Sequence, residues 1–212
     1  MTTVQVHIIE PAGVTRRAWP VTCGLPFAPG ELRDASRIRV LDCEGRLLPA
    51  CASPRAIWPD GSIRWALLDL QTDIDAQDRL DLHVDTDGEG SIPDTGLHAQ
   101  VRDDVIDVLT GEMAVRVARS GQRLVRSASR GQREYLRPTD DGADLLAWER
   151  GSGAPFGGVV EGAEVEESNP LRLVIRAHGS FRRDGERLFG WIARLTFFAG
   201  HSDFRMQVTF VH

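Results

Sequence analysis

The chain has 212 residues and a mass of 23.4 kDa, which suits one large domain or two small ones. Apolar residues make up 42% and charged residues 26%, so a disordered chain is excluded. No stretch approaches the roughly 18 apolar residues of a membrane-spanning helix, and we expect no membrane partner. All 25 basic residues are Arg, a bias that a GC-rich coding sequence explains.

Charge is distributed unevenly along the chain. Residues 1–95 hold 9 Arg and 15 acidic residues, whereas residues 96–212 hold 16 of each, so the whole net charge of −6 lies in the first half. An acidic half argues against nucleic acid as a partner.

Cysteine usage and the N-terminal sequence indicate the cellular compartment in which we expect the protein. Cys23, Cys43 and Cys51 show no metal-binding or disulfide spacing, so we expect reduced and mostly buried thiols. No basic region followed by an apolar run comes after Met1, and no signal peptide is predicted. If Met1 is the native start, we expect a cytoplasmic protein.

Strands are predicted in the first half because apolar and polar residues alternate there, the pattern of a half-buried strand. In the segment 63–72 this alternation places Ile63, Trp65 and Leu67 on one face, and we expect Trp65 in the core. The segment 59–62, Pro-Asp-Gly-Ser, is typical of a tight hairpin turn. About six strands in roughly 85 residues suit a small closed barrel over residues 1–88.

A turn-rich linker is predicted at residues 89–98, and longer strands resume after it. We expect an antiparallel β-sandwich over residues 99–212, with no helix and with a long hairpin whose strands are 195–198 and 204–210. The last apolar strand continues to the end of the sequence, which favours an incomplete sandwich in a longer protein. A terminal edge strand is the alternative.

An acidic segment at residues 85–90 resembles part of a calcium-binding loop. Asp85, Asp87 and Glu89 fit its first, third and fifth positions, but the twelfth position is Gly96 in place of the bidentate Glu. A solvated acidic linker is the favoured interpretation. We therefore predict no metal and no cofactor, with calcium as the alternative.

Arginines 119, 123, 126, 130, 133 and 137 recur at spacings of four and three. They are able to grip an anionic polymer such as a polyuronate through bidentate contacts. Glycines and β-forming residues within the segment argue against a helix. An arginine-rich, solvated hairpin is favoured.

Five residues are candidates for sugar contact: Trp58, Asp60, Arg64, His201 and Arg205. Aromatic rings complement the C–H faces of sugars, and Trp58 adjoins the predicted turn, where exposure is expected. An Arg with a His can neutralise a uronate carboxylate and move a proton. The spacing of the six histidines does not indicate a metal site, and catalytic residues stay unassigned.

Several segments carry a family resemblance. They are 24–32 (Gly-Leu-Pro-Phe-Ala-Pro-Gly-Glu-Leu), 38–42, 45–49, 58–65 (Trp-Pro-Asp-Gly-Ser-Ile-Arg-Trp), 194–200 and 208–212. Together they resemble the opening regions of the exo-rhamnogalacturonan lyase (PcRGLX/YetA-like) family, over residues 4–212. The resemblance implies an N-terminal RIFT-type β-barrel, a central β-sandwich and then a large α/α toroid, which this sequence does not contain.

The same resemblance implies a function. Enzymes of this family cleave rhamnogalacturonan by β-elimination, so the leading hypothesis is the non-catalytic front part of a pectin-degrading polysaccharide lyase. This part would provide scaffolding and contact with an acidic polysaccharide or oligosaccharide, alongside the missing α/α domain. Two alternatives remain open: a stand-alone carbohydrate-binding or protein-interaction module, and a glycoside hydrolase that uses the same domains.

Overall fold

The structure is a computed structural model that describes residues 3–88, 95–136, 142–151 and 153–212. Within these residues the chain is all-β, as predicted, with one short 3-10 helix at Ala35–Arg37. The chain divides into two compact units, Met1–Asp94 and Thr95–His212. Most of the predicted linker, residues 89–94, lies outside the described residues. No helix in the described ranges has the length and apolar character needed to cross a bilayer.

The first unit is a small barrel-like arrangement of seven strands, one more than predicted. They are β1 (Thr3–Ile9), β2 (Arg16–Pro26), β3 (Arg39–Leu41), β4 (Leu47–Leu48), β5 (Ala50–Ile57), β6 (Ile63–Ile74) and β7 (Arg79–Asp85). They form one antiparallel sheet in the order β1-β7-β3-β4 and another in the order β2-β6-β5. The inner faces share a core in which Leu68, Leu82 and Val84 are fully buried.

A β-bulge in β6 changes which of its residues face the core. Two residues of β5 lie opposite the three residues Ile63, Arg64 and Trp65, so the alternation of side chains shifts by one position. Ile63 and Ala66 are both buried although they are three positions apart, and Trp65 is 42% exposed. The prediction that Trp65 belongs to the core is therefore wrong.

Glu10 is a buried carboxylate that closes the turn between β1 and β2. It accepts hydrogen bonds from the backbone N–H groups of Ala12, Gly13, Val14 and Gln77. Burial alone raises the pKa of Glu10, but these four hydrogen bonds more than offset that effect and hold it below its ordinary value. Glu10 therefore stays charged at neutral pH and accepts the backbone hydrogen bonds of the turn.

The cysteines differ in burial. Cys51 is buried, Cys23 is half-buried and Cys43 is exposed, so the prediction of mostly buried thiols holds for two of the three. Burial, together with the negative charge of Asp69, raises the pKa of the Cys23 thiol. Cys23 consequently stays protonated and weakly nucleophilic.

The second unit is a sandwich of two five-stranded antiparallel sheets. Its strands are β8 (His98–Val101), β9 (Val105–Leu109), β10 (Ala114–Ala118), β11 (Val125–Arg130), β12 (Arg133–Leu136), β13 (Leu146–Ala147), β14 (Phe156–Ser168), β15 (Arg172–Arg183), β16 (Glu186–Phe198) and β17 (Phe204–Val211). The sheet orders are β12-β11-β10-β9-β8 and β13-β14-β15-β16-β17. Ile106, Phe156, Leu195 and Phe197 are fully buried in the shared core.

The predicted long hairpin is confirmed as β16 and β17, with Phe197 opposite Phe204. β17 forms one edge of its sheet. Its alternate residues Phe204, Met206, Val208 and Phe210 share the face that β16 turns toward the core, but Met206 is 45% and Phe210 65% exposed. The edge strand therefore leaves part of an apolar face open to solvent.

The arginine-rich segment forms a hairpin, β11 and β12, as favoured from its composition. Three of its arginines are matched by carboxylates nearby, which reduces their capacity to grip a polymer. The ion pairs are Arg123–Asp144, Arg126–Asp104 and Arg130–Glu112. Arg137, the last member of the series, lies outside the described residues.

Gly179 on β15 gives a test of the sandwich core. A Cβ at this position would stand 1.9 Å from the carbonyl oxygen of Val159 and 2.5 Å from the indole of Trp191, which is buried. Because backbone cannot yield as a flexible side chain does, we expect Gly179→Ala to lower the free energy of unfolding by about 1–3 kcal/mol or more. Chemical denaturation measures this change.

Gly153 provides the matched control, because a Cβ there meets no atom within 4 Å. Gly153→Ala is expected to leave the unfolding midpoint close to that of the parent chain. Equal midpoints for the two variants would contradict the packing described around Trp191.

Candidate functional site

The turn between β5 and β6 is held by side chains as well as by backbone. The N–H of Trp58 donates to the carbonyl of Ser62 at 2.7 Å, and the fully buried Ser62 hydroxyl donates to the Asp60 carboxylate at 2.5 Å. The same hydroxyl oxygen accepts from the N–H of Gly30 at 2.8 Å, in a second loop of the barrel. Gly61 has a φ of +81°, which glycine adopts without strain.

Asp60 has a structural part in this turn. One carboxylate oxygen accepts from both the N–H and the hydroxyl of Ser62, and the other lies 3.7 Å from Arg33. The hydrogen bonds from Ser62, aided by the positive charge of Arg33, hold the pKa of Asp60 below its usual value. One oxygen of the carboxylate is therefore committed to the turn, whereas the other makes no hydrogen bond within the described residues and the side chain is 41% exposed.

Trp58 and Arg64 are brought into direct contact. The Arg64 guanidinium lies 4.8 Å from the centre of the Trp58 ring, and the indole N–H donates to the carbonyl of Phe27 at 2.9 Å. Within the described residues no carboxylate lies within ion-pair distance of Arg64, which is exposed. Arg64 thus presents an unneutralised cation beside a fixed aromatic ring.

Trp65 extends this surface. A Cβ on Gly24 would lie 2.6–2.7 Å from three atoms of the Trp65 indole, so one face of the ring covers the glycine backbone. The 42% exposure of the residue then leaves the opposite face open to solvent. We call Trp58, Arg64 and Trp65 the tryptophan surface. A flat apolar ring beside a free guanidinium suits a sugar that carries a carboxylate.

His201 and Arg205 are not brought together. The His201 side chain is only 15% exposed, its Nδ1 lies 3.7 Å from the Asp203 carboxylate, and its carbonyl accepts from the Thr110 hydroxyl at 2.6 Å. Arg205 is exposed on β17 opposite Thr196, and no hydrogen bond or ion pair joins it to His201 in the described chain. Both residues belong to the second unit, whereas the tryptophan surface belongs to the first.

The acidic segment at 85–90 is only partly described. Asp85 accepts from Arg39 at 2.7 Å, and Asp87 pairs with Arg37. Glu89 and Gly90 lie outside the described residues. Among the residues that the structure describes, no three His, Cys, Asp or Glu side chains form a group able to hold a metal ion.

Trp65 is the residue of this surface that sequence reasoning missed. Alternation alone predicts a core face that contains Trp65 and Leu67, but the core face of β6 is the other one, on which Ala66, Leu68 and Leu70 are buried. Gly24 carried a usable signal, because a glycine inside a strand often marks the close approach of another group.

The two units and their strand order define a barrel-plus-sandwich β protein, and comparison with known families gives the same division. Residues 2–85 match the PcRGLX-like N-terminal RIFT barrel domain, and residues 97–212 match the PcRGLX-like protein central β-sandwich domain. The chain therefore belongs to the PcRGLX-like family, as the resemblance of its segments predicted.

Individual relatives are more distant. Uncharacterized protein YetA of Bacillus subtilis is 24% identical over 195 residues, which cover 86% of this chain and 22% of that protein. The chain thus spans about a fifth of this relative. A solved Enterococcus faecalis protein in glycosyl hydrolase family 38 aligns with 97% of this chain and 31% of its own, at 11% identity and a TM-score of 0.59. That likeness concerns the fold.

Ser62 gives a test of the turn beneath the tryptophan surface. Ser62→Ala removes the hydroxyl hydrogen bond, so we expect the pKa of Asp60 to rise toward its ordinary value. The lowered pKa of Asp60 gives the parent chain a stabilisation that is fully present above the unfolded pKa of about 3.9 and is lost as the pH falls through the folded pKa. The variant should therefore also lose less stability on acidification. Carboxyl ¹³C NMR titration measures the pKa.

Asp34 is an internal control for that titration. Its carboxylate accepts from the N–H and hydroxyl of Ser36 in the same arrangement, and these hydrogen bonds lower its pKa too. Ser62→Ala should leave the Asp34 titration unchanged. An unchanged Asp60 titration would contradict the described turn.

Proposed function

We propose that this chain contacts pectic rhamnogalacturonan and forms the non-catalytic front part of a polysaccharide-lyase-like protein. Membership of the PcRGLX-like family supports a carbohydrate-active role. The observation that carries the proposal is the tryptophan surface, where the partly exposed Trp65 follows the unneutralised Arg64 in the chain and Arg64 stacks on Trp58.

The chemistry of the surface matches the alternating sugars of this polymer. A rhamnose ring can place its C–H face on the indole of Trp65, and the carboxylate of a neighbouring galacturonate can pair with Arg64. The turn that Ser62 fixes keeps Trp58 beneath the guanidinium, which reduces the freedom that binding must remove.

The surface supports binding and does not supply a base. Indole rings do not titrate in water, and an arginine stays protonated at any physiological pH. β-Elimination requires a group that accepts the proton beside the uronate carboxylate. We therefore assign that step to another region of a longer protein, the α/α domain that the family resemblance implies.

A glycoside hydrolase is the second candidate. The observation that favours it is the glycosyl hydrolase family 38 title of the Enterococcus faecalis protein whose fold aligns with both units. Product analysis separates the reactions, because β-elimination leaves an unsaturated uronate that absorbs in the ultraviolet and hydrolysis leaves none. A stand-alone binding module gives neither product.

Calorimetric titration of the chain with rhamnogalacturonan oligosaccharides tests the proposal. We expect saturable binding, which Trp65→Ala weakens about tenfold through loss of the ring face. Arg64→Gln should weaken binding to the acidic oligosaccharide more than binding to a carboxyl-reduced one.

Trp148 serves as the matched control, because it is 61% exposed and belongs to the other unit. Trp148→Ala should bind as the parent chain does. Absence of binding to the folded chain, or equal affinities for the parent and Trp65→Ala, would overturn the proposal.

A further inference from the structure

The outer face of the sheet β12-β11-β10-β9-β8 carries a furrow of about 410 Å³ that the proposed function does not use. Two rows of side chains cross its strands. One row is Gln100, Asp107, Arg116 and Ser127, and the other is His98, Leu109, Ala114 and Ser129. Residues opposite one another on neighbouring strands share a face, so these eight side chains border one surface.

The furrow has a low, partly apolar floor between taller polar walls. The floor is formed by the short side chains of Ala114, Ser127 and Ser129, with the apolar Leu109 beside them. Arg116 stands on the same strand as Ala114, and Gln100 stands on β8, two strands away. A recess with an apolar floor and polar walls matches a sugar, which has C–H faces and hydroxyl edges.

Several hydrogen-bonding groups in the furrow have no partner among the described residues. Ser127 and Ser129 are half-buried, and neither hydroxyl has a hydrogen-bond partner among the described residues. Gln100 accepts from Arg102 through Oε1, and its NH₂ group makes no hydrogen bond within the described residues. His98 pairs Nδ1 with the carbonyl of Gly96, and its Nε2 has no partner in that part of the chain. Half-buried polar groups without partners favour a ligand that provides them.

The charge of the furrow is positive. Asp107 is the one carboxylate in its lining, and it accepts from Arg102 at 2.5 Å and from Arg116 at 3.0 Å. Burial alone raises the pKa of Asp107, but the two guanidinium groups overcome this effect and lower it. One carboxylate faces two arginines, so an excess positive charge remains.

Arg116 is placed to use that excess charge. It donates to Asp107 through Nε, and its Nη groups make no other hydrogen bond in the described part of the chain. The side chain is 60% exposed and lies opposite Ser127. A carboxylate bound by Arg116 would therefore bring the rest of its ligand against the two serines.

We propose that this furrow is a second saccharide site that takes one acidic sugar residue. Arg116 pairs with the sugar carboxylate, Ser127, Ser129 and Gln100 bond its hydroxyls, and the C–H face rests on Ala114. The choice of a uronate rests on the proposed function, whereas the furrow lies in the other unit from the tryptophan surface. Two sites on one chain would raise affinity for a long polymer by avidity.

Amide NMR of the full chain, titrated with rhamnogalacturonan oligosaccharides, tests this proposal. We expect shifts at Ser127, Ser129 and the Gln100 side-chain amide. Arg116→Gln should weaken binding at the furrow about tenfold, while Arg102 still pairs with Asp107. The double variant Ser127→Ala with Ser129→Ala removes the hydroxyls without disturbing the ion pairs, and should also weaken it.

Arg130→Gln is the matched control, because Arg130 lies on the neighbouring hairpin and pairs with Glu112 outside the furrow. It should bind as the parent chain does. Unchanged furrow binding in Arg116→Gln, equal binding of a carboxyl-reduced oligosaccharide, or displacement by inorganic phosphate at the same concentration would overturn the acidic-sugar site.

The titration also separates this inference from the proposed function. Shifts at the furrow that persist in Trp65→Ala support a separate site. Shifts near Trp65 with none at the furrow overturn the furrow site and leave the proposed function intact. Absence of shifts at both places overturns both.

Discussion

The alternation of side chains across a strand is the constraint on which the first unit depends, and one extra residue in β6 resets it. The extra residue at Arg64 lets Ile63 reach the core together with Ala66, whereas Trp65, next to Ala66 in the strand, faces outward by ordinary alternation. Without the extra residue, a strand with its core face fixed by Ala66 would direct Ile63 to solvent. The same local irregularity adds Ile63 to the core and leaves two consecutive residues, Arg64 and Trp65, both exposed, so it bears on the fold and on the candidate site.

Carboxylates satisfy backbone N–H groups and hydroxyls in the turns of this protein. Glu10 and Asp60 each collect hydrogen bonds from nearby backbone N–H groups or hydroxyls, and both stay charged because those bonds outweigh burial. In the second unit, arginines and acids are interleaved across strands, as in the pairing of Asp107 with Arg102 and Arg116. An all-arginine set of cations fits this pattern, since each planar fork can reach two acceptors. Arg64 and Arg116 are two positions in the described residues where positive charge exceeds its local partners.

Much of the fold could be predicted from period-two alternation and turn residues. These local signals gave the all-β class and the hairpins on either side of residues 59–62 and 199–203, and the family resemblance gave the barrel and the sandwich. The position of Trp65 could not be predicted, because both faces of β6 carry apolar residues and alternation alone does not tell which face packs inward. The furrow depends on register across four strands, so Gln100 and Ser127 border one surface although nothing in their sequence neighbourhoods connects them. His201 and Arg205 are grouped for the chemistry of an Arg with a His, and within the described residues no hydrogen bond or ion pair joins the two side chains.

The open edge of β17 has a consequence for how the molecule behaves in concentrated solution. An unpaired strand displays a row of N–H and C=O groups, and here Met206 and Phe210 add apolar surface along the same row. Charged residues that commonly protect such edges are sparse, since Arg205 is the one charged side chain within Phe204–Val211. Extended segments of other polypeptides can therefore add to this sheet as a further strand. Among the sheet edges that the structure describes, β17 combines unpaired backbone groups with exposed apolar side chains, and we expect it to contribute to association between molecules at high concentration.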